Sequence, residues 1–392
     1  MANLKSNITR MYVFRFLLSM HFIGGVLVPF MTDWGHISFT QIMLLQSFFM
    51  ISIFALEVPT GAIADYLGRR TTIIISAIIN GVAALVYSSY PSFYVFMVGE
   101  FLWALAHALL SGADEALVYD SLKSEGMERE SKRIFGRITS STLAALMVSA
   151  PIGSIIAATL GLRYTMMFLS APCFLAAVVG IGFTEPECGM EERGRDYLGT
   201  IRSGMAYFRD HRALKILAFD SIAVGNMVYM LIWAYQPILR ELNVPIFYFG
   251  FVQSAMTAIQ IVFLNNFGRI EGILGSKKRY VVFSAIVPGI ALIALSANYH
   301  ISSTVILILV ISGLGFTRSV LFQSYFNKFI ESDNRATVLS TISMLSVFVR
   351  AVTYPLFGML VEWSLRNAIF IIGALTMLFT ALSRVREEHL VD

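Results

Sequence analysis

Twelve apolar runs, each long enough to cross a bilayer as one helix, constrain this chain more than any other feature. They lie near residues 11–33, 38–60, 71–90, 93–120, 134–160 and 163–184. After one hydrophilic stretch come runs near 213–240, 245–267, 280–298, 301–329, 336–361 and 363–383. A hydrocarbon core of about 30 Å takes a helix of about 20 residues, with tilt where the run is longer. Unbroken runs of this kind exclude a bacterial β-barrel, whose strands alternate. Soluble domains are excluded too: 14% of the residues are charged, against about 25% where water covers the surface. The expected fold class is an all-α membrane protein with twelve transmembrane helices in two pseudo-symmetric six-helix bundles. Residues 1–184 make the first bundle, 185–212 a cytoplasmic linker and 213–392 the second.

Orientation follows from Lys and Arg, which stay on the cytoplasmic side. With the N-terminus inside, only Arg163, Arg240 and Arg366 fall in outer loops, and Arg15, Arg318 and Arg350 fall within spans. All the rest of the 29 Lys and Arg lie in inner loops or at inner helix ends. Both termini are therefore expected in the cytoplasm, with the protein multi-pass in the cell (plasma) membrane. The net charge of +4 reflects this distribution and not a nucleic-acid surface. The start, Met1–Arg10, runs into a span too long and aromatic for a cleavable signal. Cys173 in a span and Cys188 in a charged loop have no thiol or histidine at ligand spacing, so neither a disulfide nor a metal is expected.

The linker opens with Glu185, Glu187, Glu191, Glu192, Arg193 and Arg195. It then turns amphipathic, with Tyr197, Ile201, Met205 and Phe208 at helical spacing beside Arg202 and Arg209. That pattern predicts a helix lying on the inner membrane surface.

Between spans two and three the chain reads Gly61-Ala-Ile-Ala-Asp65-Tyr-Leu-Gly68-Arg69-Arg70. This resembles the Gly-x-x-x-Asp-x-x-Gly-Arg-Arg signature of the major facilitator superfamily, and specifically the drug/proton antiporter branch. The resemblance extends over the whole chain in span count, six-plus-six layout and central loop. Read from the residues, Gly61 lets a neighbouring helix approach and Gly68 permits a tight turn. Asp65 can meet the positive end of another helix, while Arg69 and Arg70 anchor to phosphates or acids. The resemblance implies that this loop latches the inner ends of the two halves, with the helix after Arg335 as partner. After span eight, Gly268-Arg-Ile-Glu271-Gly-Ile-Leu-Gly275 reads as a decayed second copy, and Pro29 and Pro237 fall at corresponding ends of spans one and seven. Both features suit an internal duplication.

Ionisable residues inside a span cost about 2.5–3.5 kcal/mol each on insertion scales, so several together point to function. Span four carries Glu100, His107, Asp114, Glu115 and Asp120. On a continuous helix, His107 falls about 20° and Asp114 about 40° from Glu100, with Trp103 and Ser111 on that face and Glu115 beside it. Asp120 falls about 160° away and is expected to face Arg69 or Arg70. The resemblance implies that spans one, four, seven and ten line the substrate path. Arg15 lies about 6 Å and Asp114 about 9 Å from the inner ends of their spans, so the two are within reach. Asp220 and Arg318 match similarly in the second half. Arg350 has no obvious mate beyond Glu57 or Glu100. Phe22, Trp103, Met227, Tyr235, Phe322 and Tyr325 share faces with these charges and suit an adaptable cavity.

The expected function is secondary active transport by alternating access, proton-coupled, exporting a small hydrophobic or cationic molecule. The alternative is a proton-coupled importer of a small metabolite or organic anion, with Arg15, Arg318 or Arg350 as counter-charge. Two departures from the family bear on direction: Glu100 stands where many members have an arginine, and span five keeps only Ala150-Pro151-Ile152-Gly153-Ser154 of the antiporter signature. Adjacent Asp114 and Glu115 repel each other, which makes one of them the expected proton carrier, with Asp220 next in line. No phosphate loop and no metal-binding histidine pair is visible, so neither an enzyme nor a cofactor is expected. The expected partners are the cargo, protons and the bilayer, with no nucleic acid, for a monomer.

Overall fold

A computed structural model describes residues 4–186, 205–330 and 335–390, the side chains at 58, 62, 65 and 336 aside. Cys188 and the linker residues 187–204 lie outside the described residues. Eleven helices there are long and apolar enough to cross a membrane, from Phe39–Glu57 to Leu365–Leu382. The first apolar run does not reach that length as a single helix. It forms Lys5–Leu18, turns at residues 19–23, and continues through short pieces to Trp34. The all-helical fold class stands, with span one broken.

Local sequence explains the ends. Ser38 starts span two through a reciprocal cap with Gln41, and Ser276 and Ser364 start spans nine and twelve in the simpler form. Gly68, at φ +83°, separates Phe39–Leu67 from Arg69–Ser89, a left-handed turn for which a side chain is a burden. Gly275, at φ +75°, makes the matching turn before span nine.

The chain divides into two compact units: Met1–Arg193 with Pro245–Ser254, and Gly194–Val244 with Ala255–Asp392. In the first, span three packs on spans six and four. In the second, span nine packs on spans twelve and ten. Glycines allow close approaches in both units. A Cβ on Gly81 would lie 2.7 Å from Phe174, and one on Gly289 would lie 2.8 Å from Met377.

The same charge clamp holds both packed pairs. At one end Glu185 accepts hydrogen bonds from the amides of Arg69 and Arg70, at 2.9 and 2.8 Å. Glu387 does likewise for Lys277 and Lys278, at 3.0 and 2.9 Å. At the other end Arg163 donates to the Ser88 carbonyl at 2.8 Å, and Arg366 to those of Leu295 and Asn298 at 2.9 and 2.7 Å. An acid at the N-terminus and a cation at the C-terminus both oppose the helix dipole, by roughly 0.3–1 kcal/mol each. Two of the three arginines that depart from the positive-inside pattern thus have a structural role.

Span five runs through Pro151 as one helix, Ser131–Thr159. Gly153 lies against the Phe22 carbonyl, in the turn of span one, and leaves no room for a Cβ. Residues 245–254 join the same unit through Gly250 N, which donates to Ser154 Oγ, and Ser254 Oγ, which donates to the Met147 carbonyl, both at 2.6 Å. Gly153→Ala is expected to lower stability by about 3 kcal/mol, because backbone and not a flexible side chain must yield. A thermal melt of the purified variant within a degree of wild type would contradict this packing.

Candidate functional site

Span four, expected as one helix, is two. It runs Phe93–Leu110, breaks at Ser111 and Gly112, and resumes as Ala113–Ser124. Gly112 sits at φ +78°, where a Cβ is unfavourable. Asp114 and Glu115 occupy the first turn of the resumed helix, next to the positive end of its dipole. The wheel that placed Asp114 in register with Glu100 does not carry across this break, which corrects the continuous stripe.

Asp114 is buried and forms an ion pair with Arg15 of span one, whose side chain is 26% exposed. The pair is incompletely satisfied: Asp114 Oδ1 and Arg15 Nε are both buried without a hydrogen-bond partner. Glu115 is exposed. One carboxylate therefore keeps a free lone pair beside a cation that solvent can reach.

The second unit repeats the arrangement with polarity reversed. Span ten breaks at Phe316 and Thr317, between Ile301–Gly315 and Arg318–Phe326. Arg318 pairs with Asp220 of span seven, the two side chains being 1% and 3% exposed. Arg318 Nη1 also donates to the Val281 carbonyl and to Ser284 Oγ, both at 2.6 Å, and the guanidinium lies 5.1 Å from the Phe322 ring centre. The first unit puts the arginine on its first span and the acid on its fourth. The second unit does the opposite.

The other expected site residues scatter. Glu100 is buried and accepts a 2.6 Å hydrogen bond from Gln46 Nε2, so it is held within the first unit and does not line an open face. Trp103 packs on Tyr87, ring centres 5.0 Å apart, within a cluster that includes Phe30 and Phe96. His107 is exposed, edge-on to Phe49, and Ser111 is exposed at the break. Phe22 is buried at the break of span one, and Met227 and Tyr235 are buried on span seven. Phe322 and Tyr325 belong to the buried core of the second unit with Leu214, Leu217 and Tyr280, which corrects their expected place on a cavity wall. Stripes of aromatic residues at helical spacing pack cores as readily as cavities.

The signature segment is helical to Leu67, and only Gly68 makes the turn, where a whole loop was expected. Arg69 forms an ion pair with Asp120 and donates to the Ala116 carbonyl at 3.2 Å; Arg70 donates to the Ile181 carbonyl at 2.7 Å. Gly61 is exposed, and a Cβ there would meet nothing within 4 Å, so the close approach expected at Gly61 is not made in this structure. The Asp65 side chain lies outside the described residues.

Arg350 stands apart. It is at the midpoint of span eleven, Thr337–Trp363, about 20 Å from either end at 1.5 Å per residue, too far to snorkel. Its guanidinium lies 4.8 Å from the Tyr229 ring centre, and its Nε is buried without a hydrogen bond. Among the described residues it forms no ion pair. A mid-span arginine without an acid costs about 2.5–3.5 kcal/mol on insertion scales. Among the described residues no group of three His, Cys, Asp or Glu could hold a metal ion.

Glu387, Gln46 and Gly112 are not singled out by sequence, and Glu185 only as one of the charges that open the linker. The two capping acids follow closely on the last span of each half, and that matched placement is the signal that could have found them.

Comparisons with known proteins agree with this architecture. Residues 11–344 match the family described as Major Facilitator Superfamily. No curated protein matches the sequence. Among solved structures, the nucleoside transporter NupG is 13% identical with a TM-score of 0.79, covering 97% of this chain and 100% of its own. A bacterial homologue of the human lysosomal transporter Spinster, described as inward-facing and unoccupied, is 13% identical with a TM-score of 0.79, over 99% and 98% of the two chains. The POT family transporter PepTSo is 13% identical with a TM-score of 0.73, over 97% and 96%. At such identities the likeness is one of fold.

Proposed function

The chain belongs to the Major Facilitator Superfamily, whose members are transporters and not enzymes, and on that premise we propose that it moves a small organic molecule coupled to protons. The observation that carries this is the pair Arg15–Asp114, with its unsatisfied Asp114 Oδ1 and partly exposed arginine, set at the break in span four. A buried carboxylate held by one cation exchanges that partner for a proton as its surroundings change. Glu115, exposed beside it, is the route by which a proton arrives or leaves. Asp220 is the weaker candidate, because it and Arg318 are both almost wholly buried, with no member of the pair open to solvent.

Two six-helix bundles joined by the linker at 185–212, with both termini cytoplasmic and the chain in the plasma membrane as a monomer, complete the reading. Gly61, Asp65, Gly68, Arg69, Arg70 and Asp120 serve as the latch. Gly61 has open space in this structure, so Gly61→Leu should melt with wild type, yet slow transport several-fold by obstructing another state. Equal losses of folded protein and flux would remove Gly61 from the latch.

Export of a hydrophobic or cationic cargo is the reading that the sequence favours. Import of an organic anion is the second, and the unpaired Arg350 favours it. Flux of labelled amines and carboxylates into proteoliposomes, with the pH gradient imposed in each direction, tests both. Gradient-dependent flux supports proton coupling, and its sign gives the direction. Flux indifferent to the gradient would contradict coupling.

A further inference from the structure

We infer that Arg350 and the faces of spans seven and eleven around it bind the carboxylate of a small aromatic anion. This deepens the second reading above, import of an organic anion, and rests on transport for its role. Three independent features converge. First, orientation: Arg350 falls about 200° around the helix from both Phe348 and Val352, which are 68% and 51% exposed. The arginine thus points away from the face that its helix exposes, towards span seven. It is itself partly accessible.

Second, charge. Of the three arginines placed within spans, Arg15 has Asp114 and Arg318 has Asp220. Arg350 has no acid among the described residues, and its side chain makes no hydrogen bond there. A guanidinium offers a planar fork of donors that fits a carboxylate bidentately. The ligand class that completes it is an anion.

Third, the walls. Tyr229 lies under the guanidinium and against Phe316, ring centres 5.5 Å apart. Trp233 and Tyr354, both buried, meet edge-on at 6.2 Å one turn further along each of the two spans and close that end. The partly accessible rings of Tyr229 and Phe316 suit a flat apolar body. Asn226 donates to Thr353 Oγ1 at 2.8 Å, while its Oδ1 is buried without a partner. That acceptor is free for a hydroxyl or N–H on the cargo. An amine in this place would be repelled by Arg350, and a neutral amide would leave the guanidinium unpaired.

The test uses the full chain in detergent, with benzoate, 4-hydroxybenzoate, phenylacetate and indole-3-acetate as probes against their matched amides and amines. The expected result is that at least one carboxylate binds ten-fold or more tightly than its amide and amine. Arg350→Gln should weaken that carboxylate ten-fold or more, and Arg350→Lys by less. The Arg350→Gln protein should melt at or above wild type, since an unpaired charge at the middle of a span has gone. No binding by any carboxylate, equal binding of the amines, or undiminished binding by a folded Arg350→Gln protein would overturn the site. A melt well below wild type would make Arg350 a packing residue and overturn it too. Carboxylate binding that depends on Arg350, without any flux in proteoliposomes, would defeat the transport reading and leave the site standing. Proton-driven flux indifferent to Arg350 would do the reverse.

Discussion

Asp220→Asn should destabilise the protein by about 3–5 kcal/mol, the usual cost of leaving a buried charge without its partner. Arg318 is 1% exposed. Its remaining hydrogen bonds, from Nη1 to Val281 and Ser284, leave Nε buried without a partner and supply no negative charge. The double variant Asp220→Leu with Arg318→Met should recover most of the loss, because an apolar pair of similar size avoids the desolvation cost of both ions. Thermal unfolding of the purified single and double variants reads this directly. A single variant that melts near wild type would mean that the pair is not enclosed as described. A double variant no better than the single would mean that the site needs charge for a reason other than balance.

Asp114→Asn should behave differently. Arg15 is partly exposed, so water can solvate it once the carboxylate is gone and the stability cost should be much smaller. The effect on function should be the larger one. Proton-driven accumulation is expected to fall by about two orders of magnitude, the scale typical of losing a group that must carry a proton. Exchange of labelled for unlabelled cargo needs no net proton movement and should persist. Glu115→Gln should slow accumulation without abolishing it. Full accumulation by a folded Asp114→Asn protein would move the coupling site elsewhere, Asp220 being next. Lost exchange together with lost accumulation would make Asp114 part of the packing of the first unit.

The contrast between the two pairs shows which parts of the structure could be read from the chain. Depth along a helix is set by counting residues. Both pairings, Arg15 with Asp114 and Asp220 with Arg318, were therefore foreseeable as contacts within reach. Angle around a helix holds only while the helix is continuous. A glycine inside an apolar run usually stays helical, so nothing in the chain marked Gly112 as the point where span four breaks. Glu100 was thus read as sharing a face with Asp114, when it is bound to Gln46 on span two. The apolar runs gave the helices because length and hydropathy alone decide them. The turn of span one after Leu18 was hidden, since a broken run and an unbroken one have the same composition. Phe322 and Tyr325 were misplaced for a similar reason: which side of span ten faces Leu214 and Leu217 depends on packing between spans far apart in sequence. The clamps at Glu185 and Glu387 join spans that are not consecutive, and a single chain read in order does not show such contacts.

Proton movement driven by cargo alone is the most direct test of coupling through Asp114. Proteoliposomes loaded with a pH-sensitive dye, at equal pH inside and out, would receive an inward gradient of a cargo that binds. The account predicts a change of internal pH with the wild-type protein and none with Asp114→Asn, although that variant still exchanges cargo. Cargo entry by the wild type without any pH change, or an unchanged response in the variant, would contradict it.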